Sequence, residues 1–326
     1  MSGPEFLHGG KLARNEGTPL DLDAAMAVQA NTSAIERRAA TLGTRRSIKK
    51  DWQAAWLLKA VTCIDLTTLA GDDTEERVRR LCRKAIHPIR RDLLDRLGMA
   101  DAGITTGAVC VYHDMVPAAV DALKGTKIPV AAVSTGFPAG LSPLPLRIAE
   151  IEASVAAGAT EIDIVISRRH VLSRDWQALY DETRAFRNAC GEAHMKAILA
   201  TGELGSLRDV GRASMVAMMA GADFIKTSTG KEAVNATLPV SLVMLRAIRA
   251  YREATGFAVG YKPAGGISRA KDALVYLSMM QEELGRRWQE PDLFRFGASS
   301  LLGDIERQLE HFVTGRYSAA NRHPIA

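Results

Sequence analysis

The stretch that decides the fold is DFIKTSTGKEAVNA, residues 223–236. A short apolar run closes on Lys226, a Thr-Ser-Thr-Gly loop follows, and a second lysine, Lys231, comes at once. From 238 to 251 apolar residues recur at helical spacing. The result is one strand–loop–helix unit, with an ammonium where a buried strand should be closing. Burying an ammonium is costly unless it is paired or has lost its proton, so Lys226 needs a chemical reason.

The same unit repeats along the chain. Short β-branched runs fall at 61–64, 105–111, 129–133, 161–166, 195–199, 224–227, 258–262 and 294–297. Helical stripes lie between them, for example Val78, Leu81, Cys82, Ala85 and Ile86, with Asp73 or Thr74 as cap and Pro88 as stop. A similar stripe spans 270–284. The strands are apolar on both faces, as in a parallel sheet covered by helices. Eight such units predict an α/β fold, a (β/α)8 TIM barrel with extra N-terminal helices. The rival is a doubly wound open sheet, but no G-x-G-x-x-G follows the first strand. Residues 1–19 are expected to be a tag or a disordered N-terminus, and MSGPEFLHGG reads partly as a cloning scar. Residues 20–58 are expected to be a helical extension packed on the barrel, with Trp52 and Trp56 at i, i+4 on its second helix. The barrel is expected over 59–313 and a C-terminal tail over 314–326.

Composition narrows the function. Of the 326 residues 47% are hydrophobic, enough for one large core or two smaller domains, and the formal net charge is +5. That excess is too mild and scattered for a nucleic-acid binder, but it suits an anionic substrate. The basic cluster around Arg45, Arg46, Lys49 and Lys50 reads as a solvated helix face. Cys63, Cys82, Cys110 and Cys190 form no C-x-x-C pair and read as free thiols in a reducing, cytoplasmic compartment. No apolar run approaches the ~18 residues of a membrane span. The seven histidines show no H-x-x-x-H or H-x-H spacing, so no metal site is expected. His113 near Cys110 suggests a thiol nucleophile, but no third orienting partner is visible, and the cysteine reads better as pocket wall.

Chemistry concentrates where strands run out. Asp65, Cys110, Asp163, Lys196, Lys226 and Lys262 each end a different strand. In a barrel they converge on the active-site mouth. Singly, each has a bland reading: a carboxylate that caps a helix, or a lysine that snorkels to solvent. Jointly that reading requires several buried charges without purpose. Two lysines in one mouth have a use, because an amine attacks a carbonyl only when neutral. Desolvation and a neighbouring cation both lower its pKa. Lys262 can be that cation for Lys226, and Asp65 can keep Lys262 protonated. A Schiff-base lysine so made needs neither metal nor cofactor. Gly230-Lys231, Gly265-Gly266 and Gly297 with Ser299 and Ser300 follow strands six to eight, where barrels often bind phosphate. Other Schiff-base aldolases, a pyridoxal-phosphate enzyme and a non-catalytic sugar-phosphate binder fit these residues as well.

The motifs DFIKTSTGK, KPAGG, DLTTL, ATGEL and FRFGASSLL together resemble the deoxyribose-phosphate aldolase family, in its longer, animal-like form. The resemblance runs from about residue 46 to the C-terminus. It implies a (β/α)8 class I aldolase that cleaves 2-deoxy-D-ribose 5-phosphate to glyceraldehyde 3-phosphate and acetaldehyde. By motif, it makes Lys226 the Schiff-base lysine, Lys262 its charged neighbour and Asp163 the proton carrier through a water. Asp65 and Thr67 support that relay, and Cys110 lines the acetaldehyde side. Lys196, Thr227, Gly230, Lys231, Gly265, Gly266, Gly297, Ser299 and Ser300 fall to substrate binding. The implied partners are a small phosphorylated sugar and a second copy of the chain in a homodimer, without nucleic acid or membrane. Short members end in a tyrosine that reaches the site. This chain ends NRHPIA, and its nearest tail tyrosine is Tyr317.

Overall fold

The computed structural model describes residues 7–8, 11–12, 14–319 and 322. Eight parallel strands form one sheet: β1 (Ile64–Thr67), β2 (Ala108–Tyr112), β3 (Val130–Val133), β4 (Glu161–Val165), β5 (His194–Ile198), β6 (Phe224–Lys226), β7 (Gly260–Lys262) and β8 (Phe296–Ala298). Each pairs with its neighbours in chain order, and β8 returns to pair with β1. Parallel bridges Tyr261↔Phe294 and Ala264↔Gly297 join the chain around β8 to β7 and complete the barrel. The open-sheet alternative is thereby excluded.

The helices are α1 (Leu22–Met26), α2 (Thr32–Arg45), α3 (Lys50–Thr62), α4 (Glu75–Ile86), α5 (Arg91–Arg96), α6 (Val116–Ala122), α7 (Leu144–Ala156), α8 (Arg168–Leu172), α9 (Trp176–Ala189), α10 (Leu207–Met219), α11 (Leu238–Thr255), α12 (Ala270–Leu284) and α13 (Leu301–Thr314). Local chemistry sets their ends. Thr74 caps α4 by accepting from Arg77 N, and Thr237 caps α11 by accepting from Val240 N. Gly256 closes α11 at φ 81°, the left-handed conformation that glycine adopts without a Cβ penalty.

The first strand differs from expectation. The apolar run Val61–Ile64 splits: α3 continues to Thr62, and β1 begins at Ile64. Ala60 and Val61 are fully buried on the inner face of α3, so tertiary packing decides a run that no Gly or Pro interrupts. The second strand starts at Ala108 rather than 105. Helix α3 packs against α12 and α13, and of the two tryptophans only Trp56 packs on the core. Trp52 is 74% exposed, and the buried face is Ala54, Leu57, Leu58, Ala60 and Val61. Each large aliphatic there contributes about 1.5–3 kcal/mol.

Residues 14–19, grouped in the sequence reading with the tag-like N-terminus, are held against the barrel. Asn15 is buried and donates to the carbonyls of Met218 and Ala222, and its backbone N–H donates to Asp223. Tyr251 donates to its side-chain oxygen (3.0 Å). The rest of the tag-like segment lies largely outside the described residues.

Candidate active site

Alternation sends every second side chain of each strand into the barrel. The inward set brings Asp65, Asp163, Lys196, Lys226 and Lys262 together, as the sequence led one to expect. It adds Glu161 on β4 and Arg295 just before β8. Lys226 Nζ donates to Asp163 Oδ2 (2.8 Å). Lys262 Nζ donates to the same oxygen (2.8 Å) and to Asp65 Oδ2 (2.5 Å). Lys196 Nζ donates to Glu161 (2.5 Å) and to the other oxygen of Asp163 (2.9 Å), and lies 3.6 Å from Asp65. Arg295 donates to Asp65 (2.5 Å) and Glu161 (2.8 Å). Asp65, Asp163, Lys196 and Lys262 are fully buried, and Lys226 is 3% exposed.

These contacts separate the lysines. Burial pushes Lys226 below the ordinary lysine value; its single carboxylate, Asp163, opposes this, and the Lys262 cation adds to it. Burial acts on Lys262 in the same direction, but Asp163 and Asp65 outweigh it and hold that ammonium above the usual value. For Lys196 burial is likewise outweighed, by Asp163, Glu161 and Asp65. Burial would raise Asp163, yet Lys196, Lys226 and Lys262 keep it well below the carboxylate range. Three carboxylates, Asp65, Glu161 and Asp163, thus face three cations, Lys196, Lys262 and Arg295, before Lys226 is counted. The buried cluster is electrically balanced when Lys226 is neutral, the form that can attack a carbonyl.

A different inner sector is apolar. Cys110, Ala131, Val133, Phe137, Val165 and Ile198 form their own buried cluster, with Leu69 and Tyr112 packed on it. Burial pushes the Cys110 thiol up, against the pull of Lys262, so it stays protonated as part of that wall. His113 turns away to Glu150 (3.3 Å).

The DeoC/LacD family aldolase model matches residues 59–305. Over 316 residues the chain is 62% identical to deoxyribose-phosphate aldolase of Bos taurus, covering 96% of this chain and 99% of that protein. Identity over the same length is 61% to the enzyme of Homo sapiens, with the same coverage. The chain belongs to the DeoC/LacD aldolase family. Among solved structures, deoxyribose phosphate aldolase from Aeropyrum pernix is 22% identical with a TM-score of 0.57, covering 81% of this chain and 98% of that one. This likeness supports the barrel fold.

Within this aldolase framework the remaining expected residues take distinct places. Thr227, fully buried, clips β6 to the chain after β7 by donating to Ala264 O and accepting from Ala264 N. Thr67 donates to the carbonyl of Asp65 (2.8 Å). Lys196, expected among substrate-binding residues, is enclosed beneath Asp163 with no exposed surface. Gly297 N donates to Pro263 O (2.9 Å), and a Cβ there would stand 3.3 Å from Lys262 Cε and 2.7 Å from Ala264 Cβ. A side chain there would collide with Ala264 and crowd Lys262. Lys231, Gly266, Ser299 and Ser300 are exposed at the loop tips. Tyr317 is 70% exposed and stacks on His311 near the C-terminal end of α13. The fourteen residues of α13 put it about 21 Å of helix away from the β8 loop. It is not among the side chains brought to the mouth.

Two members of the cluster, Glu161 and Arg295, were missed in the sequence. The signal was there: Glu161 stands two residues before Asp163, and Arg295 stands two residues before Gly297, the period-2 spacing of an inward face, with Phe294 and Phe296 on the opposite one.

Proposed function

We propose that this chain catalyses reversible retro-aldol cleavage of 2-deoxy-D-ribose 5-phosphate to D-glyceraldehyde 3-phosphate and acetaldehyde, as a class I aldolase. The observation that carries the residue assignment is geometric: Lys226 meets one carboxylate, Asp163, while Lys262 beside it meets two, Asp163 and Asp65. The high-identity animal relatives support the substrate.

Neutral Lys226 attacks C1 of the open-chain sugar, and loss of water gives an iminium. Asp163, through a water, takes the C3 hydroxyl proton while the C2–C3 bond breaks and its electron pair flows into the iminium. Glyceraldehyde 3-phosphate leaves. The resulting enamine is protonated at C2, and hydrolysis releases acetaldehyde and restores the amine. Lys262 keeps the Lys226 amine neutral between turnovers, with Asp65 and Arg295 behind it. The apolar sector at Cys110 receives the acetaldehyde methyl end. Phosphate contacts away from the reacting carbons give binding and orientation. No step requires a cofactor.

A homodimer working in cytoplasmic deoxynucleoside breakdown completes the reading; the buried free cysteines suit a reducing compartment. The test is a substrate panel. Cleavage of 2-deoxyribose 5-phosphate with equimolar release of both aldehydes supports the assignment. Turnover restricted to keto acids or ketose phosphates contradicts it. Sedimentation equilibrium tests the dimer.

A further inference from the structure

The loop after β6 was expected to offer its amides to the substrate's phosphate. In the structure those amides already hold an anion. Glu232, 8% exposed, turns back into its own loop. Thr229 N donates to both of its carboxylate oxygens (3.0 Å each), Gly230 N donates at 3.1 Å, and the Thr229 hydroxyl donates at 2.8 Å. Lys231 N donates to the Thr229 hydroxyl (3.1 Å), and Asn235 Nδ2 donates to the Glu232 carbonyl (2.9 Å). Three successive amides are thus satisfied internally, two of them by a carboxylate.

The same carboxylate lies next to a link between loops. Arg168, at the start of α8, has one guanidinium nitrogen 3.8 Å from Glu232. It donates to the carbonyls of Ala139 (2.6 Å) and Pro138 (3.1 Å), after β3. Its Nε lies 2.6 Å from Glu203, after β5, as an ion pair without an aligned hydrogen bond. Arg168 and Glu232 therefore tie the loops after β3, β4, β5 and β6 around the mouth.

The loops after β7 and β8 are different. Among the described residues, the amides of Gly265, Gly266, Ser299 and Ser300 carry no hydrogen bond. Gly265 and Gly266 stand at φ 81° and 80°, both in the left-handed region.

We propose that Glu232 is a positioning residue: its carboxylate fills the amide pocket of the β6 loop, fixes that loop, and leaves the substrate's phosphate to the β7 and β8 loops and the Lys231 side chain. The reason is electrostatic. A phosphate dianion cannot share two amides with a buried carboxylate without strong repulsion, and removing the carboxylate would free the loop that carries Lys231. The assignment rests on the reading above that the substrate is phosphorylated.

The first test uses the unaltered protein and inorganic phosphate as probe. Backbone amide resonances of Gly265, Gly266, Ser299 and Ser300 should shift on titration, while those of Thr229 and Gly230 stay in place. Shifts at Thr229 and Gly230, or none at the other four, would overturn the proposal. The second test is Glu232→Gln, which keeps the side-chain shape, alongside Glu232→Ala. In both, KM for 2-deoxyribose 5-phosphate and the dissociation constant of inorganic phosphate should rise together, by about 10-fold, as expected for loss of one charge-assisted contact set. The turnover number should change far less. An unchanged KM would make Glu232 a spectator, and a lower KM would make it a competitor for the phosphate; either refutes positioning. Failure of the activity assignment would look different, with no cleavage of the sugar phosphate by the unaltered protein.

Discussion

Lys226 and Lys262 stand side by side. They are register partners on adjacent strands, both buried, and both donate to the same oxygen of Asp163 at 2.8 Å. Yet burial wins at Lys226 and loses at Lys262. What differs is Asp65, which gives Lys262 a second carboxylate and is itself held by Arg295. Lys196 extends the series with three carboxylates within 3.6 Å, and it too is held protonated. The lesson is that depth alone does not make a nucleophile. In this barrel the number of carboxylates around each amine separates the proposed nucleophile, Lys226, from two fixed cations.

The most severe way to break that comparison is to remove the proposed nucleophile. Lys226→Met should lower the turnover number by about four orders of magnitude, since covalent catalysis depends on one group. If Lys262 could take over, the loss would be far smaller. Steady-state cleavage of 2-deoxyribose 5-phosphate decides between them.

Asp65→Asn makes Lys262 resemble Lys226, with Asp163 as its only carboxylate. Activity should fall about 100-fold, and aldehyde trapping with borohydride should now mark Lys262 as well as Lys226. Label confined to Lys226 would show that Asp65 does not set the difference.

Lys262→Met tests the other direction. Removing this cation frees Asp163 for Lys226, and both changes favour the ammonium. The pKa of Lys226 should rise, so the pH at which trapping becomes efficient should move upward and the rate near neutrality should fall about 10-fold. An unmoved pH profile in the folded variant would leave burial as the sole cause. The smallest effect is expected at Cys110. Its thiol is protonated and carries no charge to the cluster, so Cys110→Ala should alter the turnover number by no more than about twofold. A larger loss, measured in the same assay, would give the thiol a part in the chemistry.

Much of this was legible in the sequence. Short strands apolar on both faces, each closing on a polar residue, predict a parallel barrel because only helices on the outside can cover them. The lysine motifs then place the chemistry at one end. Other features lacked a local signal. Nothing in VTCI marks where α3 stops and β1 starts, since no breaker interrupts the apolar run. Arg295 and Glu161 sit in short strands where a period-2 pattern has few repeats to stand out. Glu232 after Gly-Lys reads like any acidic residue ahead of a helix; only the folded loop turns it onto its own amides. Asn15 has no periodicity around it, and its anchoring depends on carbonyls from a helix end some 200 residues later. The bridging position of Asp163, touching three lysines, follows from strand register, which the sequence alone does not specify.

The central claim is that, of three buried lysines, Lys226 is the reactive one. Incubation of the unaltered protein with acetaldehyde and borohydride, followed by peptide mass spectrometry, tests it most directly. The account predicts a single N-ethyl group, on Lys226. Full labelling of Lys262 or Lys196 with Lys226 unmodified would contradict it.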